Sequence, residues 1–201
     1  MRNAKPGRSA LPGPVTDAAP ILHINGWSGC GKLTIARALA DLIGGRLLDN
    51  HTLLNPGLAL FDRGTPDNRA LRQAVRDLVF SAAVRLPPTT PLILTDAFSD
   101  DPYETALFED VIALARSRQA PLLRVNLAIS EQENIRRLTR PERAANHKLT
   151  DPAILRQHRA DHDLLGADDP DVHLIDVTAL SAQDAARTIA TRLVPQLLST
   201  D

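Results

Sequence analysis

The sequence predicts an α/β fold with a parallel sheet at its centre, and three observations lead to that class. Short apolar runs of strand length alternate with longer segments of helical periodicity along the chain. The first apolar run passes directly into the glycine-rich stretch Gly26-Trp27-Ser28-Gly29-Cys30-Gly31-Lys32, which opens a helical pattern. A later run, Pro91-Leu92-Ile93-Leu94-Thr95, ends on the carboxylate of Asp96, at the edge where parallel sheets bind ligands.

Taken in order, the strand candidates are residues 21–25, 46–48, 92–95, 122–127 and 172–177. Between them the pattern predicts helices over 32–42, 68–84, 103–118, 131–139, 152–165 and 182–193. Gly44-Gly45 ends the first helix, and Pro87-Pro88 separates the second from the next strand. Ser130 and Ser181 precede apolar-periodic runs, with Glu133 and Asp184 three residues later, the arrangement that satisfies free amides at a helix start. Residues 1–18 are rich in Pro and Gly and read as a disordered arm, leaving 19–201 as one domain without internal repeat or linker.

Composition narrows the function. Lys and Arg number 23 against 24 Asp and Glu, a net charge of −1, which argues against a dedicated duplex DNA binder. Aromatic residues are 3% of the chain, few for stacking on nucleic-acid bases, so a nucleic-acid partner is not expected. The one cysteine, Cys30, excludes an intrachain disulfide and suits a reducing cytoplasm, the expected location. No apolar run approaches the about 20 residues that cross a bilayer, and the start lacks the continuous apolar segment of a secretory signal.

The stretch from Gly26 to Lys32 has the G-x-x-x-x-G-K spacing in the strand-loop-helix context that a phosphate loop requires. Glycines let the backbone curl so that amide hydrogens converge on phosphate oxygens, the helix N-terminus adds partial positive charge, and Lys32 reaches the terminal phosphates. One position departs from the pattern: Leu33 stands where a magnesium-binding hydroxyl is expected, although Thr34 can still hydrogen-bond a phosphate. Because Mg²⁺ in such sites keeps several waters, a carboxylate acting through water can hold it instead. Asp96 is the candidate, the alternative being an Asp that caps the following turn. Asp49 ends the second strand in Arg46-Leu47-Leu48-Asp49-Asn50-His51 and is expected to face the same crevice from the acceptor side, where a hydroxyl would be activated; a turn-forming Asp-Asn pair is its alternative.

On these residues the chain resembles the small P-loop kinases grouped around shikimate kinase, gluconate kinase, chloramphenicol phosphotransferase and tunicamycin-resistance proteins, over residues 20–197. The resemblance implies a P-loop NTPase fold, a five-stranded parallel sheet in the order 2-3-1-4-5, ATP as donor and a mobile lid after the fourth strand. It also implies a substrate-side Asp after strand two, which falls on Asp49, and lid arginines that close on the transferring phosphoryl group. The matching stretch runs from Asn134 to Arg143, where Arg137, Arg140 and Arg143 are spaced by three and would share one face of a helix-like lid. Arg136 is expected on the solvent side, and pairing with Glu133 or Glu142 is the alternative for any of these arginines. Asp96-Ala97-Phe98-Ser99-Asp100-Asp101 replaces the glycine-rich stretch that shikimate kinase carries after strand three, which disfavours shikimate as substrate. Thr178-Ala179-Leu180 matches the loop that holds adenine in these kinases.

The expected activity is therefore an ATP-dependent phosphotransferase acting on a hydroxyl of a small molecule, a metabolite or an antibiotic, with Mg²⁺ as cofactor. The candidate catalytic residues are Lys32, Asp49, Arg140 and Arg143; Gly26, Trp27, Ser28, Gly29, Cys30, Gly31, Lys32, Leu33, Thr34 and Arg137 would hold the nucleotide, and Asp96 the metal. On the acceptor side His51, Asn55, Phe61, Asp62, Arg63 and Arg72 are available, and Arg63 or Arg72 could clamp an anionic substrate, exposure to solvent being the alternative. His158 and His162 lie four apart on a helix but lack a third ligand at metal-site spacing. A kinase of nucleotides or nucleic-acid ends, and a non-catalytic ATP sensor that exploits Leu33, are the competing readings.

Overall fold

A computed structural model describes residues 18–144 and 149–198; the proposed arm lies outside the described residues apart from Ala18. Five strands, β1 (Ile21–Gly26), β2 (Arg46–Asp49), β3 (Leu92–Thr95), β4 (Leu122–Ala128) and β5 (Val172–Asp176), form one sheet in the order β2-β3-β1-β4-β5. Every pairing is parallel. The helices are α1 (Lys32–Ile43), α2 (Asn50–Leu60), α3 (Pro66–Ala83), α4 (Pro102–Ser117), α5 (Glu131–Leu138), α6 (Pro141–Ala144), α7 (Pro152–Asp161) and α8 (Ala182–Leu193), with a last short turn at Pro195–Leu197. Class, strand count and strand order agree with expectation. Among the described residues no helix is long and apolar enough to cross a membrane.

The centre of the sheet explains its own sequence. β1 pairs on both edges and is buried throughout, so its apolar residues Ile21, Leu22 and Ile24 face both layers rather than alternating with solvent-facing ones, and its polar His23 and Asn25 are buried as well. Leu22 and Ile24 face α1 and α8, where they join Leu39, Ile93, Leu127 and Ile189 in one cluster. Ile21 faces the other layer, with Leu92, Leu94, Phe80, Phe108 and Val111. His23 stands on this second side between the rings of Phe98 and Phe108, at 5.9 and 5.1 Å between centroids. Both predicted caps are present: Ser130 accepts from the Glu133 amide and Ser181 from the Asp184 amide.

Three elements differ from the sequence expectation. Helix α2 replaces what the pattern left open after Asp49. Pro56 and Gly57 inside it read as breakers, yet Asp49 caps its start and the helix tolerates one carbonyl without a donor at Pro56. Gly57 is there for packing: a Cβ would lie 2.8 Å from Cγ of Arg72 and 3.1 Å from Nδ2 of Asn68 on α3. Helix α7 ends at Asp161 rather than 165, because the next residues run extended to pair with the loop after β3 through Ser99 and Leu164, with the Leu165 amide donating to Phe98. The arginine-rich stretch is not one helix. Pro141 disfavours helical geometry at the residue before it, so α5 stops at Leu138 and α6 restarts at Pro141.

Candidate functional site

β1 delivers the chain at Gly26, and α1 takes it up at Lys32; the loop between them forms one wall of a cavity of about 790 Å³ that reaches across to α2, α3 and α4. Gly31, with φ 101°, caps α1 in left-handed geometry. Gly29 has φ 91° and no room for a side chain, since a Cβ would meet Asn134 Nδ2 at 2.8 Å. The loop is therefore shaped by both its backbone angles and the helix packed behind it.

Lys32 points into the loop. Its Nζ donates to the carbonyls of Gly26 (2.6 Å) and Trp27 (3.0 Å) and lies 3.9 Å from Cys30 Sγ. Burial pushes the ammonium below its usual basicity; Cys30 opposes that shift, Arg143 adds to it, and Asp96 opposes it again. An ammonium held in low dielectric beside a second cation is arranged for a polyanion.

Helix α5 ties the loop down from behind. Asn134, fully buried, donates from Nδ2 to the Ser28 carbonyl at 2.8 Å and accepts from Arg159 at 3.1 Å. Arg159 also lies over the Trp27 ring, 6.0 Å from its centroid. Arg137 donates from Nη1 to the Cys30 carbonyl (3.1 Å) and from Nη2 to the carbonyls of Val177 (2.9 Å) and Thr178 (3.2 Å). It thus joins the phosphate loop to the chain following β5, next to the expected adenine position. Sequence reading missed Asn134 and Arg159. Asn134 belongs to the lid stretch but has no motif of its own, and Arg159 lies in a helix that reads as solvated.

Glu133 orients Arg137, accepting from its Nε at 2.6 Å while Arg136 binds the same carboxylate at 2.6 and 2.7 Å. The two guanidinium groups, Arg136 first and Arg137 second, hold this carboxyl down at about 2. A depressed carboxylate stabilises the fold above its ordinary value near 4.5, and the contribution fades as pH falls towards 2. In Glu133→Gln the acid limb of the melting-temperature profile between those pH values is expected to flatten, measured by thermal scans in citrate and phosphate buffers. An unchanged acid limb would remove Glu133 from that role.

At the end of β3, Asp96 is buried rather than cavity-lining. Its Oδ2 accepts from His23 Nε2 at 3.1 Å, and its Oδ1 is buried with no hydrogen-bond partner. His23 was not singled out in the sequence because a histidine on an apolar strand carries no motif. Leu33 and Thr34 both line the cavity, Leu33 without an oxygen to offer. Among the described residues no group of three or more His, Cys, Asp or Glu could hold a metal ion. A cation bound mainly by phosphate oxygens and water needs only one or two protein carboxylates, and the unpartnered Oδ1 of Asp96 fits that need.

Asp49 ends β2 and is the N-cap of α2: Oδ1 accepts from the His51 amide and Oδ2 from the Thr52 hydroxyl, both at 2.9 Å. Its side chain is 20% exposed with Oδ1 3.8 Å from His51 Nδ1, and Asp49 itself does not line the cavity, whereas its neighbours Asn50 and His51 do. The Asn50 amide also donates to the Thr95 hydroxyl at 3.3 Å, which fixes the start of α2 against β3.

The three arginines of the expected lid, Arg137, Arg140 and Arg143, separate. Arg143 lines the cavity, donates twice to the Leu149 carbonyl (3.2 and 3.0 Å), and loses basicity mainly through burial. Arg140 is exposed in the break between α5 and α6 and does not line the cavity. The shared face expected from their spacing is absent because Pro141 ends the helical register between Arg137 and Arg143. On the acceptor side His51, Arg63 and Arg72 line the cavity, whereas Asn55, Phe61 and Asp62 do not. His158 and His162 also line it, and His162 Nδ1 is 3.0 Å from Asp100 Oδ1.

No protein-family profile matches the sequence, and no curated protein matches it. Solved structures do. A gluconokinase from Sinorhizobium meliloti 1021 is 16% identical, with 90% of this chain and 95% of that one covered at a TM-score of 0.58. The tunicamycin resistance protein of Deinococcus radiodurans is 20% identical over 88% of this chain and 96% of its own, with a TM-score of 0.59. A shikimate kinase from Acinetobacter baumannii, solved in complex with shikimate, is 19% identical over 90% and 96%, at 0.57. With its parallel sheet in the order β2-β3-β1-β4-β5 and its Gly26–Lys32 loop at the end of the central strand, the chain has the fold of the small P-loop kinases.

Proposed function

We propose that this protein is an ATP-dependent phosphotransferase that transfers the γ-phosphoryl group to a hydroxyl of a small molecule. The observation that carries this reading is one cavity lined both by the glycine-rich loop with Lys32 and Arg143 and by side chains of α2, α3 and α4, among them Asn50, His51, Arg72, Gln73 and Glu104. The loop amides and the α1 N-terminus receive phosphate oxygens, and Lys32 and Arg143 offset charge on the group in transit. Asp49 orients the acceptor hydroxyl and takes its proton; each of its oxygens accepts one local hydrogen bond and keeps a second lone pair. Bound Mg²⁺ would supply charge neutralisation between the nucleotide phosphates, with Asp96 holding it through water. Arg140 is the arginine of the lid that remains to be brought in, since it is exposed beside the cavity-lining segment.

The direct test is transfer of labelled γ-phosphate from ATP to pooled hydroxyl compounds, with release of labelled inorganic phosphate as the control. Stoichiometric labelling of a compound supports the reading; nucleotide binding with neither transfer nor hydrolysis would leave an ATP sensor. Replacing Leu33 with Ser puts a hydroxyl back at the helix entrance. Leu33→Ser is expected to tighten Mg²⁺·ATP by roughly three- to tenfold, worth about 1 kcal/mol, with less effect on metal-free ATP. Titration of both forms checks it, and equal effects would refute a link between Leu33 and the metal.

A further inference from the structure

The lining of the cavity is cationic in a chain whose net charge is −1. Of the Lys, Arg, Asp and Glu side chains that line the cavity, Lys32, Arg63, Arg72, Arg76 and Arg143 are basic and only Asp101 and Glu104 are acidic. Both acids are engaged locally. Asp101 Oδ1 accepts from the amides of Tyr103 and Glu104 as the cap of α4, and Glu104 Oε2 accepts from the amide and hydroxyl of Ser99 at 2.7 Å each. Arg76 is engaged as well, donating to Asp110 Oδ2 (3.0 Å) and the Leu107 carbonyl (2.8 Å). Lys32 closes the phosphate loop, and Arg143 on α6 donates to the Leu149 carbonyl.

Arg63 and Arg72 remain. Among the described residues neither forms an ion pair or a hydrogen bond, and Arg72 Nε is buried without a partner. Leaving a guanidinium N–H buried and unpaired costs free energy, more so for a charged group than a neutral one. Arg72 is nevertheless held in place, because its stem lies against Gly57 at a distance that excludes even a methyl group. Burial lowers its basicity; Tyr103 and Glu104 act against that, and the charges of Arg63 and Arg76 add to it. A fixed, unpaired, planar donor beside a second guanidinium matches the geometry of a carboxylate or phosphate group.

We propose that Arg72 and Arg63 form an oxyanion-binding subsite at the acceptor end of the cavity, so that the hydroxyl-bearing acceptor also carries a carboxylate or a phosphate. Calling the bound molecule an acceptor rests on the phosphotransferase reading; the subsite itself does not. Neutral polyols and amino sugars lack the group that Arg72 is placed to hold, and amino sugars add repulsion.

The test is calorimetric titration of the full chain, saturated with ADP, against four panels: hydroxy acids, sugar phosphates, neutral polyols and amino sugars. Binding confined to the first or second panel is expected, and which of the two responds identifies the anion as carboxylate or phosphate. Arg72→Gln should weaken that binding at least tenfold and Arg63→Gln by less, Arg63 being exposed. Gly57→Ala should weaken it too, by displacing Arg72 without removing a charge. ADP affinity serves as the check that each variant is folded. Binding of no oxyanion, binding only of neutral or amino compounds, or oxyanion binding that persists in the Arg63→Gln, Arg72→Gln double variant overturns the proposal. Arg72-dependent oxyanion binding without labelled transfer would instead overturn the kinase reading and leave the subsite standing. Transfer to a neutral acceptor would do the reverse.

Discussion

Lys32→Ala is expected to lower γ-phosphoryl transfer by a factor on the order of 10³ or more, the scale on which such enzymes depend on charge aimed at the moving phosphoryl group. The fold should survive. Lys32 starts α1 and touches loop carbonyls rather than the apolar cluster beneath, and burial already disfavours its charged form. Losing a desolvated ammonium offsets part of the cost of freeing the Gly26 and Trp27 carbonyls. A thermal scan should show a shift of a few degrees at most, while ATP titration and label transfer both collapse. Unchanged transfer with unchanged nucleotide affinity would disprove the role of the loop.

Asp49→Asn is the second large effect, a loss of transfer on the order of 10² or more with ATP affinity nearly unchanged. The substitution separates two jobs that one carboxylate performs. As the cap of α2, Asp49 accepts from the His51 amide and the Thr52 hydroxyl. Asn is as good a cap as Asp, so its Oδ1 keeps the amide bond and the helix is retained, whereas Ala would cost about 1 kcal/mol. The proton acceptor, by contrast, is lost. Kinetics with a known acceptor, alongside Asp49→Ala, distinguish the two roles. Full transfer in Asp49→Asn would reduce Asp49 to a cap and shift the search for a base to Asp96.

Much of this was legible because the informative features are local. The loop reads directly from glycine spacing and one lysine, and all five strands from apolar runs broken by turn residues. Strand order is a different matter: it came from resemblance, since nothing in the runs themselves says that the first strand lies between the third and fourth. Helix α2 escaped because Pro56 and Gly57 signal a break, and the reason for Gly57, the stem of Arg72 pressed against it, exists only in three dimensions. The lid arginines show the opposite failure. A spacing of three predicts one face only while the helix continues, and Pro141 interrupts it. His23, Asn134 and Arg159 were missed for a common reason: each acts on a residue 25 to 106 positions away, and such partnerships leave no periodic trace.

The position of β1 also has a consequence for how the chain is made. Its partners are Leu92–Thr95 on one side and Leu122–Leu127 on the other, both synthesised long after it. A nascent chain that has not yet produced β3 carries Ile21–Gly26 unpaired on both edges, with Ile21, Leu22 and Ile24 exposed as an aggregation-prone segment. Closing the sheet around it requires loops of high contact order, which fold slowly. The residues that hold the phosphate loop in shape come later still, with Asn134 and Arg137 on α5 and Arg159 on α7. The Gly26–Lys32 loop therefore gains its strand pairings and its side-chain supports only from segments synthesised after it.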